Sequence, residues 1–233
     1  MKTTKFIFFA MILFACMLSC TGNTGTSGNK QPGVAGTKVT DVDGVIRLNA
    51  PDTARGTCVM QALKDRKSIR EYSEKELFLE DLSDLLWAAN GINRPADGKR
   101  TAASALNARD IDIYVCLKDG AYFYDPKNNE LKKVTDEDLR PAVAAKQSFV
   151  NDVPACLVLV SDTARFPVSD TTRTLMTGAM DAGIVSANIS VFCSSVGMAT
   201  VPRSSMDIEI LKSALKLKES QLPMMNHPVG YPR

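Results

Sequence analysis

The sequence predicts one folded domain of mixed helices and strands behind an N-terminal targeting segment. Three observations carry that expectation. Residues 111–134 read as strand, turn, strand, turn and strand. The unbroken apolar run Pro154-Ala155-Cys156-Leu157-Val158-Leu159-Val160 suits a central strand covered on both faces. Residues 171–196 spread apolar and small residues around a helical period over a long stretch. Charge is nearly balanced, with 28 Lys and Arg against 26 Asp and Glu and a formal net charge of +2. That leaves no basic face of the kind nucleic-acid binding needs. The single His excludes a His-rich metal site, and no metal ligands are assigned.

The N-terminus is set aside before any fold reasoning. Lys2 and Lys5 precede the apolar stretch 6–18, which is short of the ~20 residues that span a bilayer. It closes on Met17-Leu18-Ser19-Cys20, which resembles a bacterial lipoprotein processing site. The resemblance implies a signal peptide over residues 1–19, cleavage before Cys20 and lipid on that residue. Several acyl chains would anchor the protein stably to a membrane of the bacterial cell envelope, with the folded domain outside the cytoplasm. An ordinary signal peptide cut nearby and an uncleaved anchor are the competing readings. Residues 20–38 are rich in Gly, Thr, Ser and Asn and read as a flexible tether. The folded domain then occupies residues 39–233, which fits one sizeable core. Cys116 and Cys156 fall in strand-like runs and Cys193 in the long helix, with no CxxC, so they read as small core hydrophobes.

Taken in order, residues 45–48 form a short strand. Residues 58–67 form a helix with Val59, Met60 and Leu63 on one face. Residues 80–90 place Leu82, Leu85, Leu86 and Ala89 at helical spacing, capped by Asn90-Gly91, with Trp87 beside the stripe as core. Residues 93–107 form a loop of small residues that lets the backbone approach a flat or charged group. Asp119-Gly120 is a hairpin turn signal between strands 111–117 and 121–124. Residues 136–149 read as a helix, and 171–196 as a helix buried almost all round that ends at Gly197. Residues 198–201 follow as a strand and 208–217 as an amphipathic helix. The segment 222–233 carries a Gly230-Tyr231-Pro232 turn.

The run Arg66-Lys67-Ser68-Ile69-Arg70 sets two guanidiniums, an ammonium and a hydroxyl within five residues. Guanidiniums bind phosphate oxygens through charge-assisted, often bidentate bonds, and a Ser hydroxyl adds a donor. The alternative is a solvated charge cluster at a helix end. His227 is a lone imidazole without the oriented partner that nucleophilic catalysis needs, and it reads as structural.

Four ordered marks resemble the nitroreductase-like flavoenzyme superfamily. They are the Arg66 to Tyr72 run; Arg100-Thr101-Ala102-Ala103-Ser104-Ala105-Leu106-Asn107 leading into Asp112-Ile113-Tyr114-Val115; Asp181-Ala182-Gly183 in a helix that closes on Val196-Gly197-Met198-Ala199-Thr200-Val201-Pro202; and Pro228-Val229-Gly230-Tyr231-Pro232. The hairpin Asp119-Gly120-Ala121-Tyr122-Phe123-Tyr124-Asp125-Pro126 resembles the SagB-type dehydrogenase branch. The resemblance implies an α+β fold, with a mostly antiparallel central sheet flanked by helices, as an intertwined homodimer holding FMN at its interface. On that reading Arg66, Lys67, Ser68 and Arg70 hold the phosphate and the polar ring edge, and Arg233 completes the phosphate site. Ser104 and Asn107 reach the cofactor from the partner subunit. Gln147 contacts the ring or ribityl chain, and Pro202, Arg203 and Ser204 form the turn facing flavin N5. Departures from the family pattern are Ala103 where Pro is usual, and Ala108-Arg109-Asp110 after Asn107. The implied function is FMN-dependent oxidoreduction of a small-molecule substrate or electron acceptor in ping-pong fashion. The competing reading is a non-catalytic, lipid-anchored flavin-binding or interaction protein.

Overall fold

The computed structural model describes residues 36–168 and 170–233. The signal segment, Cys20 and the tether through residue 35 lie outside the described residues. The elements are β1 (Val45–Arg47), α1 (Val59–Asp65), α2 (Leu79–Asn90), β2 (Ile92–Arg94), β3 (Lys99–Arg100), β4 (Ile111–Leu117), β5 (Gly120–Asp125), β6 (Glu130–Thr135), α3 (Arg140–Ala144), β7 (Ala155–Asp162), α4 (Thr171–Val196), β8 (Ala199–Thr200), α5 (Ile208–Ala214) and β9 (Gln221–Gly230). Seven strands form one sheet in the order β1-β6-β5-β4-β7-β9-β8, and every adjacent pair is antiparallel. The fold is α+β, as the resemblance implied. Thr37 and Lys38 already pair with the start of α2, where the Leu79 N–H donates to the Thr37 carbonyl and Lys38 bridges Phe78.

The sheet is buried on both faces because side chains alternate along each strand. Ile113 and Val115 of β4 with Leu157 and Leu159 of β7 face α2 and α4, against Leu82, Leu85, Leu86, Val185 and Ile189. Tyr114 and Cys116 with Cys156, Val158 and Val160 face α3 and α5, against Val143 and Leu211. Continuous hydrophobicity in residues 154–160 is the signature of that double cover. Each fully buried Leu contributes about 1.5–3 kcal/mol of transfer free energy. Cys116, Cys156 and Cys193 are buried free thiols, and Cys58 is exposed.

Several expectations are corrected. Helix α4 has the expected bounds but is not buried all round: Met176 and Met180 are 57% and 62% exposed, and Leu175 and Ile184 are exposed as well. Successive positions 176, 180 and 184 share one face, so one stripe of the helix finds no cover among the described residues. The Val59, Met60 and Leu63 face of α1 also points outward. Helix α3 stops at Ala144 because Ala145 turns to φ 50°. The carbonyls of Ala142, Val143 and Ala144, which a longer helix would use internally, instead accept from the Asp207 N–H and the Arg203 guanidinium. Gly91 is extended rather than left-handed. It is required there for space, since a Cβ would lie 2.5 Å from Trp87 Cδ1. The segment expected to carry only a turn is mostly β9, ten residues long. Pro223 and Pro228 obscured it; Pro223 sits at a register shift opposite Val160, where the ladder tolerates a missing N–H.

The buried face of α4 approaches β7 closely at Gly178, where a Cβ would lie 2.3 Å from Ser161 Oγ. Gly178→Ala is expected to cost about 1–3 kcal/mol through overpacking. A urea midpoint equal to or above that of the unaltered protein would contradict this packing.

Candidate functional site

The Arg66 to Arg70 run leaves α1 at its C-terminus, where the Arg66 N–H closes the helix on the Ala62 carbonyl. It then runs extended and docks on the edge strand, with the Ile69 N–H donating to the Thr200 carbonyl at 3.0 Å. Tyr72 bridges Pro232, and the Arg233 N–H donates to the Glu71 carbonyl. The backbone therefore gathers Arg66, Lys67, Ser68, Arg70 and Arg233 at one end of the sheet. All five side chains are exposed. Among the described residues, none of the four cations makes an ion pair. A cluster of cations kept without carboxylates fits a polyanionic group such as a phosphate.

Pro202, Arg203 and Ser204 follow β8 directly and sit beside this segment. Pro202 and Ser204 are exposed, whereas Arg203 is 7% exposed. Its guanidinium donates to Gln147 Oε1, Asn226 Oδ1 and the carbonyls of Val143 and Ala144. Its backbone N–H donates to the Asn226 carbonyl. Arg203 thus fixes the turn and orients Gln147, and its charge is consumed within the fold. Beside it the Tyr72 and Phe149 rings stack in parallel at 6.4 Å, with the Arg203 guanidinium over Phe149. Arg70, Tyr72, Gln147 and the 202–204 turn therefore converge on one surface. The roles of Tyr72 and Phe149 in it were not drawn from sequence.

Ser104 and Asn107 lie elsewhere. The backbone from 104 to 109 turns sharply, with positive φ at Leu106, Asn107 and Arg109. Ser104 Oγ accepts from the Arg109 N–H, and the Ala105 N–H donates to Asp181 Oδ2 at 2.8 Å. Leu106 is 63% exposed at the tip. A left-handed Leu is costly and persists only where the surroundings hold it. Asp181 belongs to the middle of α4, whereas the Arg66 segment packs near the end of that helix, where Ser194 Oγ donates to the Ala62 carbonyl. At ~1.5 Å per residue, the two anchor points on α4 are separated by about 20 Å. One chain does not bring Ser104 and Asn107 to the cation cluster.

His227 lies under the cluster, fully buried, with Nδ1 3.0 Å from Thr200 Oγ1 and Nε2 2.8 Å from Ser186 Oγ. Burial lowers its pKa from the usual imidazole range to about 3. It has no solvent access and acts structurally. The folded state resists protonating it, so its stability contribution is full above about pH 6.5 and is lost as pH falls toward 3. His227→Gln is expected to flatten the fall in urea midpoint between pH 6 and pH 4 relative to the unaltered protein. Parallel pH profiles would exclude this role.

The nitroreductase family profile matches residues 63–231. A nitroreductase-type protein of Methanocaldococcus jannaschii is 31% identical over 174 residues, covering 71% of this chain and 86% of that one. An FMN reductase [NAD(P)H] of Bacillus subtilis is 21% identical over 188 residues, covering 75% of this chain and 66% of that one. The crystal structure of a nitroreductase-type protein from Ralstonia eutropha superposes with a TM-score of 0.77 at 33% identity, covering 86% of this chain and 96% of that chain. The family match over residues 63–231 and these similarities show that the chain belongs to the nitroreductase family and is an oxidoreductase of that superfamily.

Proposed function

We propose that the protein is an FMN-dependent oxidoreductase of the SagB-type branch, working as a homodimer on a small-molecule substrate or electron acceptor. The observation that carries this reading is the cluster of unpaired cations at residues 66–70, joined by main-chain bonds to Thr200 and to the Arg233 segment. Arg66, Ser68, Arg70 and Arg233 would hold the phosphate, with Lys67 adding charge. Gln147, held by Arg203, would present its amide to the cofactor, and the 202–204 turn would supply a backbone donor at Ser204. When bound, FMN would supply the redox chemistry, with hydride transfer as the reaction class. The chain's part is to bind and orient the ring and to place positive charge where negative charge gathers on reduction. The name of the Bacillus subtilis relative, which contains FMN and NAD(P)H, supports a flavin.

Exposed apolar surfaces support the homodimer from a separate direction. The Met176, Met180 and Ile184 stripe of α4 and the outward Val59, Met60 and Leu63 face of α1 are left uncovered by the described residues. Covering them with a second copy would bring Ser104 and Asn107 of the partner subunit toward the cation cluster. A membrane tether through lipid on Cys20 is part of the same proposal and rests on the leader sequence.

The second reading is a lipid-anchored flavin-binding protein without turnover. The leader favours it, because nicotinamide nucleotides are scarce outside the cytoplasm. Full-length protein purified in detergent and mixed with FMN is expected to retain a yellow chromophore that a reductant bleaches and an electron acceptor restores. Retention without acceptor-driven reoxidation would favour the binding protein, and no retention would remove both flavin readings. The double substitution Arg66→Ala with Arg70→Ala is expected to weaken FMN binding at least about 100-fold, given ~1.5–3 kcal/mol for each charged hydrogen bond, with unchanged circular dichroism. Met180→Glu is expected to convert the dimer to a monomer in sedimentation and to weaken FMN retention with it.

A further inference from the structure

The loop of residues 104–109 stands on two buried carboxylates. Asp181, 3% exposed in the middle of α4, accepts the Ala105 N–H through Oδ2. Asp110, fully buried at the loop's end, accepts the Ser161 hydroxyl through Oδ2 at 2.6 Å. Its other oxygen, Oδ1, is buried with no hydrogen-bond partner among the described residues. The same Ser161 hydroxyl packs against Gly178, which lies three residues before Asp181 on one face of α4, so the Asp110 and Asp181 carboxylates meet beneath the loop. Two ionised carboxylates side by side in a protein interior repel strongly, and one proton held between them removes the repulsion.

We propose that Asp110 and Asp181 share one proton and act together as positioning residues for residues 104–109, so that cofactor retention depends on pH. The inference rests on the proposal that Ser104 and Asn107 reach the FMN of the partner subunit. With the proton in place, the Asp110 carboxyl donates to Asp181, and Asp181 remains an acceptor for the Ala105 N–H. When the proton leaves, Asp181 is repelled from its position and the strained turn at Leu106 and Asn107 loses its main-chain anchor. Burial, reinforced by the neighbouring Asp181, pushes the Asp110 pKa up to about 7, which places the change near neutrality.

Arg165 acts on Asp110 only through space and is paired elsewhere. From β7 the pair meets the Ser161 hydroxyl, with Asp162 next along that strand. Arg165, in the turn after β7, pairs with Asp112 and Asp162. Arg109, next to Asp110 in sequence, is exposed and donates to the Gly98 carbonyl. Neither Asp110 nor Asp181 makes an ion pair among the described residues. Gly178 leaves room for the Ser161 hydroxyl beneath the pair.

Two readouts on the full-length protein in detergent test this. The first is the FMN dissociation constant between pH 6 and pH 9. In the unaltered protein it is expected to rise above neutrality by up to about tenfold per pH unit. Asp110→Asn, whose amide donates to Asp181 without a proton to lose, is expected to remove that rise; comparing the two cancels the cofactor's own titration. Asp181→Ala is expected to weaken binding at all pH values, and Asp181→Asn to restore it by offering both an acceptor and a donor. The second readout is hydrogen exchange at the Ala105 amide, which needs no cofactor. Its protection, corrected for intrinsic rate, is expected to fall through neutral pH in the unaltered protein and to stay constant in Asp110→Asn. Identical pH profiles for the unaltered protein and Asp110→Asn in both readouts, or full FMN affinity in Asp181→Ala, would overturn the proposal. An unaltered protein that binds no FMN defeats the functional reading instead, and the Ala105 protection profile then decides this one.

Discussion

The register of α4 against the sheet is the constraint on which the rest of the molecule depends. Its buried stripe packs Val185 and Ile189 onto β4 and β7, and within that stripe sit polar side chains that each fix another segment. Asp181 holds the Ala105 amide, Ser186 meets His227, Asn188 Nδ2 donates to the Ala89 carbonyl, and Ser194 Oγ donates to the Ala62 carbonyl. A sliding or rotated α4 would leave these groups buried and unsatisfied, at about 1–3 kcal/mol each. The close contact at Gly178 leaves no space for such a shift.

That register places the two halves of the candidate site at different points along one helix. The cation segment is anchored near the C-terminal end of α4, where it can reach the edge strand and the chain's closing turn. The 104–109 loop is anchored near the middle. The exposed stripe of Met176, Met180 and Ile184 flanks the 104–109 anchor at Asp181. On the proposed function, a site split in this way is completed by a second molecule, and the exposed stripe beside Asp181 is the surface proposed for it. The exposed apolar residues and the divided site are therefore two consequences of one arrangement.

The interior also carries more polarity than its hydrophobic clusters suggest. Neutral His227 and the Asp110–Asp181 pair lie in the same layer between α4 and the sheet. Burial moves His227 down and Asp110 up, both toward the uncharged form. Burial lowers the Arg203 pKa in the same sense, but a guanidinium starts so high that it stays charged, with two carbonyls and the amide oxygens of Gln147 and Asn226 around it. This explains how a residue expected at the cofactor turn comes to organise it from beneath.

Much of the fold was legible from local pattern. The apolar runs at 111–117 and 121–124 with the Asp119-Gly120 turn between them located β4 and β5, and the doubly covered run at 154–160 located β7. The bounds of α4 followed from its cap residues: Asp170 accepts the Arg173 N–H at one end, and Gly197 takes a left-handed φ of 75° at the other. The ordered motifs marked the family and the cation segment. What escaped were features decided by distant contacts. Two prolines hid β9, of which Pro223 is tolerated at a register shift against β7. Arg203 and Asp207 capture the carbonyls that would have prolonged α3. The outward face of α4 carries Leu175, Met176, Met180 and Ile184, whereas the inward face mixes Val185 and Ile189 with small and polar residues, so hydrophobicity alone gave no direction. Asp181 was visible as an acid in an apolar helix, but its loop and its neighbour Asp110 are brought to it only by folding. The sequence by itself determined which segments form elements and which carry charge, because those depend on neighbours a few residues away. Only the tertiary structure decided which charges are consumed, which remain free and which apolar face is left uncovered, because those depend on partners that are far apart along the chain.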